Sequence, residues 1–228
     1  MPEDALAVSE SPAFIVAVTE IVSAWGRQHR ASYPWRGSEV PLWQKLVAEV
    51  MLLRTRAQQV VPVWEQFARR FPSTKALREA GPSELAGVAA GLGLSWREGL
   101  LQELLVELGT IGDELPLVQN ELVKLPGVGD YCAAALLSLH ADRRAVIIDA
   151  NVVRVLARLV GKSFDGETRR RRWLRELAAR LTPEAGHQDY NYGLLDIAMT
   201  ICRRPPRCSV CPLRPYCATG RAVPVGSV

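Results

Sequence analysis

The stretch Leu125-Pro126-Gly127-Val128-Gly129-Asp130-Tyr131 constrains this chain most, because two helical patterns meet across it. Apolar spacing predicts one helix ending near Leu125 and another running from Tyr131 to Leu139. Pro126 stops the first, and Gly127 and Gly129 permit a tight hairpin with exposed backbone N–H groups. The second helix starts there with the positive end of its dipole outward, so hairpin and helix start make a small anion trap suited to a phosphate. An apolar run, Ala145 to Ile148, then leads to Asp149, which with Asn151 is a candidate cap for the next helix. A carboxylate fixed beside a phosphate clamp can act on a nucleic acid. Taken singly, a Pro-Gly-x-Gly turn or an Asp-x-Asn cap is an ordinary helix connection.

The strongest local signal comes later. Cys202, Cys208, Cys211 and Cys217 follow one another at intervals that suit four-thiolate metal binding, either zinc or an iron–sulfur cluster, and spacing alone does not separate the two. Four of the five cysteines fall in the last thirty residues, which is not the pattern of a disulfide scaffold. Cys132, inside the apolar helix after the hairpin, reads as a small buried residue. The net charge is only +4, but arginines cluster at Arg169–Arg172 and at Arg203, Arg204, Arg207 and Arg214. Such clusters suit phosphate contacts or form a solvated helix face. No apolar run approaches the roughly 18 residues of a membrane span, and the acidic start shows no signal-peptide pattern, so a cytoplasmic protein is expected.

Elsewhere the pattern is helical. Phe14–Gln28 reads as an amphipathic helix with Phe14, Val16, Val18, Ile21, Val22 and Trp25 inward. Ser32–Arg36 reads as an extended connector with packing aromatics, Ser83 and Asp189 as helix caps, and Arg169–Leu181 as a basic helix. In the helix Leu42–Arg54, Trp43, Leu46, Val47, Val50, Met51 and Leu53 form one stripe, and Glu49 falls just off its edge. Glu49 is then either a boundary residue or a half-buried acid lining a cleft, fit for proton transfer.

These features together resemble the helix-hairpin-helix DNA glycosylases, the superfamily of endonuclease III, adenine DNA glycosylase and the archaeal thymine-DNA mismatch glycosylases. The resemblance covers about residues 30–217, and is nearest to the thymine-mismatch group. It implies an all-α, two-lobed fold: a six-helix lobe over 30–145, a cluster lobe from 1–29 and 146–217, a C-terminal tail over 218–228, and DNA in the cleft between the lobes. It also implies a 4Fe–4S cluster on the four cysteines, although the first cysteine interval is one residue shorter than usual. Double-stranded DNA with a mismatched or damaged base is the implied partner of a monomer that would sit at the nucleoid in a prokaryote.

The resemblance assigns roles residue by residue. Glu49 matches the pocket glutamate of adenine and thymine-mismatch glycosylases, which endonuclease III lacks. Arg54 and Thr55 match the loop that wedges into the duplex. Ser95 lies in a loop, Gly91–Arg97, whose counterpart meets DNA from the minor groove, with Trp96 and Arg97 adjacent. Gly127, Val128 and Gly129 would present amides to a phosphate, while Asp130 departs from the basic residue common at its position. Asp149 matches the aspartate that stabilises positive charge on the sugar. Tyr131 stands where endonuclease III has the lysine that forms a Schiff base, and tyrosine cannot form an imine. The implied activity is monofunctional base-excision hydrolysis of the N-glycosidic bond with absent or weak strand cleavage, thymine or uracil opposite guanine being the expected target. The alternatives are an adenine glycosylase, an oxidised-pyrimidine glycosylase like endonuclease III, and a catalytically silent DNA-binding iron–sulfur protein; weak strand cleavage by another lysine, such as Lys124 next to the hairpin, is left open.

Overall fold

The computed structural model describes residues 11–92 and 95–223. Among them there is no β-strand. The chain divides into two compact units, a terminal unit of Met1–Ala31 with Arg144–Val228 and an internal unit of Ser32–Arg143. Helix α1 (Pro12–His29) belongs to the first. Helices α2 (Leu42–Met51), α3 (Ala57–Arg70), α4 (Thr74–Glu79), α5 (Pro82–Ala86), α6 (Ser95–Ile111), α7 (Gln119–Leu122) and α8 (Asp130–Ala135) build the second. The chain then returns to the terminal unit through α9 (Ala150–Leu159), α10 (Arg172–Leu181), α11 (His187–Thr200) and α12 (Ala218–Ala222).

In the terminal unit, α1 starts where the Ser11 hydroxyl accepts the Phe14 N–H at 3.2 Å, with Pro12 in the first turn. Phe14, Val18, Val22 and Gly26 recur every fourth residue and are buried. Val16 was expected inward, but it lies about 200° round the helix from Phe14 and Val18 and is 55% exposed. Helix α1 packs on α11, which is buried along most of its length. The crossing is made by two glycines: a Cβ on Gly26 would run into the Asp189 carbonyl oxygen, and one on Gly193 into that of Val22. Nothing larger than hydrogen lets these backbones approach so closely. The Thr19 hydroxyl ties α1 to α10 by donating to Leu181 O at 2.9 Å.

Two helix starts in this unit differ from expectation. The basic helix begins at Arg172, because Asp165 accepts from the Thr168 hydroxyl (2.9 Å) and the Glu167 N–H (3.0 Å) and winds Thr168–Arg170 into a 3-10 turn of its own. Asp189 is not a cap. Gly186 takes that place with φ of 72°, and Asp189 falls in the first turn of α11, 3.7 Å from Arg27.

In the internal unit, α2 is buried all round from Trp43 to Met51, so the single stripe read from the sequence was too narrow. Its polar residues find partners: Gln44 Nε2 donates to Phe71 O and Trp64 Nε1 to Gln44 O, both at 3.0 Å. Trp43 meets Phe67 edge to face at 5.8 Å; Trp35 stacks on Tyr33 at 4.9 Å and meets Trp64 edge-on at 6.1 Å. Each such buried aromatic contributes about 1.5–3 kcal/mol by leaving water. The connector that holds Trp35 is a 3-10 turn, Pro34–Arg36, and α5 is capped by Gly81 with Pro82 first, not by Ser83. Beyond α8 the helix loosens into a π turn, Leu136–His140.

Candidate active site and nucleic-acid interface

The hairpin forms as the sequence implies, with one correction. The Val128 N–H donates to Leu125 O at 3.1 Å and its side chain is buried, so this amide closes the turn and does not face a ligand. Gly127 needs its freedom, with φ of 71°, and a Cβ there would lie 3.7 Å from Val50 Cγ1. The hairpin therefore rests on α2, next to Glu49. Gly129 caps α8 in extended backbone, and neither Gly127 N nor Gly129 N has a backbone acceptor among the described residues. Asp130 opens α8 and Tyr131 follows, partly exposed. Lys124, the alternative nucleophile, has its ammonium on both oxygens of Glu121 at 2.7–2.8 Å.

Helix α2 ends at Met51, three residues short of the expected Arg54. A turn closes there as Thr55 N donates to Leu52 O at 3.1 Å, and Arg54 sits in it with φ of 58°. A left-handed arginine costs about 1–2 kcal/mol of backbone strain. Gly93 and Leu94 lie outside the described residues, as do the side chains of Ser95, Trp96 and Arg97.

Glu49 is neither a boundary residue nor half exposed: its side chain is 3% accessible. Its Oε1 lies 2.9 Å from Nε2 of His140, whose side chain is 2% exposed, at the end of the π turn. Sequence reading missed His140. The two residues stand 91 positions apart, so no local pattern joins them. Cys132, buried as expected, turns its Sγ toward Glu49 O at 3.7 Å and pins α8 to α2 beside the carboxylate.

In the terminal unit Asp149 caps α9 as expected, Oδ1 accepting the Val152 N–H at 2.7 Å. Oδ2 accepts from Asn151 Nδ2 at 2.7 Å, and Asn151 Oδ1 accepts from Arg154 Nη1 at 3.1 Å. Arg154 also donates to Cys202 O at 2.6 Å and Ala198 O at 2.8 Å, at the end of α11. Burial holds the Arg154 guanidinium below its ordinary pKa, and the neighbouring Cys202 opposes that shift. A chain of four residues thus runs from the Asp149 carboxylate to the first cysteine.

The cysteine loop continues through 3-10 turns at Cys208–Val210 and Arg214–Tyr216. Arg158 Nη1 donates to Cys202 Sγ at 3.4 Å, and the Gly220 N–H donates to Cys217 Sγ at 3.3 Å. Burial pushes the Cys211 thiol up to about 11, with Cys202, Cys217 and Cys208 adding to the rise; burial also raises Cys217. The four sulfurs therefore lie within electrostatic reach of one another. Among the described residues, however, no three His, Cys, Asp or Glu side chains stand close enough to hold a metal ion as they are.

Hairpin, capping aspartate and cysteine loop on an all-helical frame define a helix-hairpin-helix protein of two lobes. No family model matches the chain. It is 35% identical over 193 residues to the thymine-DNA glycosylase of Aeropyrum pernix, covering 81% of this chain and 85% of that one. It is 32% identical over 215 residues to the adenine DNA glycosylase of Mycolicibacterium smegmatis, covering 93% of this chain and 73% of the relative. A solved thermostable thymine-DNA glycosylase superposes with a TM-score of 0.81 at 29% identity, over 92% of this chain and 97% of its own. The chain belongs to the helix-hairpin-helix DNA glycosylases, the N-glycosylases of base-excision repair.

Proposed function

We propose that this glycosylase removes thymine or uracil mispaired with guanine in double-stranded DNA, by hydrolysis and without cutting the strand. One observation carries the reading: the residue after Asp130 at the start of α8 is Tyr131, which has no amine to attack the sugar. Water must then be the nucleophile. The names of relatives from Aeropyrum pernix and Methanothermobacter thermautotrophicus, thymine-DNA and thymine/uracil-DNA glycosylase, support the choice of base.

Breaking the bond between base and deoxyribose leaves positive charge on the sugar, as in other glycoside hydrolyses. The Asp149 carboxylate, oriented by Val152 N–H and Asn151, is the group to stabilise that charge. Preorganised groups of this kind are worth roughly 3–4 kcal/mol. Glu49 protonates the departing base or holds the water. Extruding the nucleotide costs a few kcal/mol, least at a mismatch, and Arg54 with Thr55 fills the space it leaves. Ser95 and the amides of Gly127 and Gly129 hold the DNA backbone.

Cys202, Cys208, Cys211 and Cys217 would carry a 4Fe–4S cluster. Two of these sulfurs receive N–H donors, Cys217 from Gly220 and Cys202 from Arg158, which suits a metal centre bound by thiolates. Once bound, the cluster supplies folding free energy to this loop. Among the described residues no helix is long and apolar enough to cross a membrane. We place the enzyme in the cytoplasm, at the nucleoid if its source is a prokaryote, acting as a monomer.

The test is incubation of excess enzyme with labelled duplexes bearing G·T, G·U, A·G, A·8-oxoguanine or thymine glycol, each read with and without hot alkali. Product from G·T or G·U only after alkali is expected. Product from the adenine duplexes alone would replace this reading with adenine removal, which Glu49 and the mycobacterial relative favour.

A further inference from the structure

We propose that His140 is a positioning residue for Glu49: its Nε2 holds one carboxylate oxygen and so aims the other at the extruded base. The inference rests on the assignment of Glu49 to base removal. Cys132 against Glu49 O fixes the backbone of α2 at this point, but a glutamate side chain still has three torsions to settle. The 2.9 Å bond from His140 removes that freedom, and both side chains are shut away from water that would compete for it. Oε1 is the oxygen that His140 occupies, which leaves Oε2 as the one to be aimed.

The backbone supports the same reading. Helix α8 passes into a π turn over Leu136–His140, and Arg143 N reaches back to Leu137 O at 2.9 Å after it. A π turn carries the chain past the regular helical register. It delivers the His140 ring to the carboxylate from the last residue before the helix ends. In this arrangement His140 touches no reactant; it sets where the Glu49 carboxyl points when the base departs.

The full-length parent, His140→Ala, His140→Gln, Glu49→Gln and the double variant Glu49→Gln/His140→Ala are compared in single-turnover base release, with binding of an uncleavable duplex measured alongside. His140→Ala should slow release on the order of a hundredfold, the effect of misplacing a reacting group by about 1 Å, with duplex affinity unchanged. Glutamine carries its Nε2 donor at the same bond distance from Cβ as histidine and should restore most of the rate. On the Glu49→Gln background, loss of His140 should add nothing. Full activity of His140→Ala, or an equal loss on the Glu49→Gln background, overturns the inference.

Imidazole ¹⁵N resonances of the parent and Glu49→Gln give a readout that does not depend on activity or on the alanine variant folding. The His140 signals should shift when Glu49 changes, and unchanged signals would refute the pairing. A parent that releases no base from any duplex overturns the functional reading and this inference with it. An active parent with an indifferent His140→Ala overturns this inference alone.

Discussion

The side-chain amide of Asn151 donates to Oδ2 of Asp149 across 2.7 Å, and its own oxygen is held by Arg154. Hydrogen bonds to charged groups contribute about 1.5–3 kcal/mol, and each 1.4 kcal/mol is about tenfold in rate. Asn151→Ala leaves the Val152 cap bond intact but frees one carboxylate oxygen, so base release should slow about tenfold or more with little change in melting temperature. Arg154→Gln also abandons Ala198 O and Cys202 O, and should add a stability loss of about 2–3 kcal/mol. Single-turnover rates with denaturant melts separate the two effects, and a rate loss for Arg154→Gln without a stability loss would contradict this account.

The close crossing of α1 and α11 predicts that Gly26→Ala and Gly193→Ala destabilise the protein, against the usual gain from replacing glycine in a helix. The added methyl meets a backbone carbonyl that cannot rotate away. Overpacking of this sort costs about 1–3 kcal/mol. Gly87→Ala, where an added Cβ meets nothing within 4 Å, is the control and should melt near the parent temperature.

What was legible in the sequence was local. Pro126, Gly127 and Gly129 spell a hairpin within four residues, and Asp149 announces a cap because its partner, Val152, is three residues on. The cysteine spacing is equally local. Long-range features stayed hidden. The stripe on α2 showed that one face is core but not that Gln44, Lys45 and Glu49 are covered as well, since burial of a helix on all sides depends on neighbours far along the chain. His140 lies one residue past the apolar helix read from Tyr131 to Leu139, and only the fold brings it to Glu49. Nothing local marks Gly26, because the reason for it is the backbone of α11. Val128 was misjudged for a smaller reason: spacing places an amide at a turn but does not say that Leu125 takes it.

The cysteine loop makes a prediction about metal. If four thiolates share one centre, Cys208→Ser should lower bound iron and sulfide and loosen the loop together, because binding free energy at such a site is folding free energy. Iron and sulfide analysis of the purified protein, followed by melting of the variant, checks this. Zinc in place of iron would keep the ligand set and discard the cluster.

Asp165 gives a pH dependence whose sign is fixed by its contacts. Hydrogen bonds from the Thr168 hydroxyl and the Glu167 N–H, with Arg171 nearby, hold its carboxyl below the usual aspartate pKa. The folded state therefore binds this proton less tightly than the unfolded state. Its contribution to stability is complete above the ordinary aspartate value of about 3.9, and is lost as pH falls through the lower folded value. Asp165→Ala removes that contribution at every pH. The parent should melt above Asp165→Ala at neutral pH, and the gap should close as the pH drops below that ordinary value. A gap that stays constant down to the lowest pH at which the parent folds would mean that the Asp165 side chain supports the 3-10 turn without its charge.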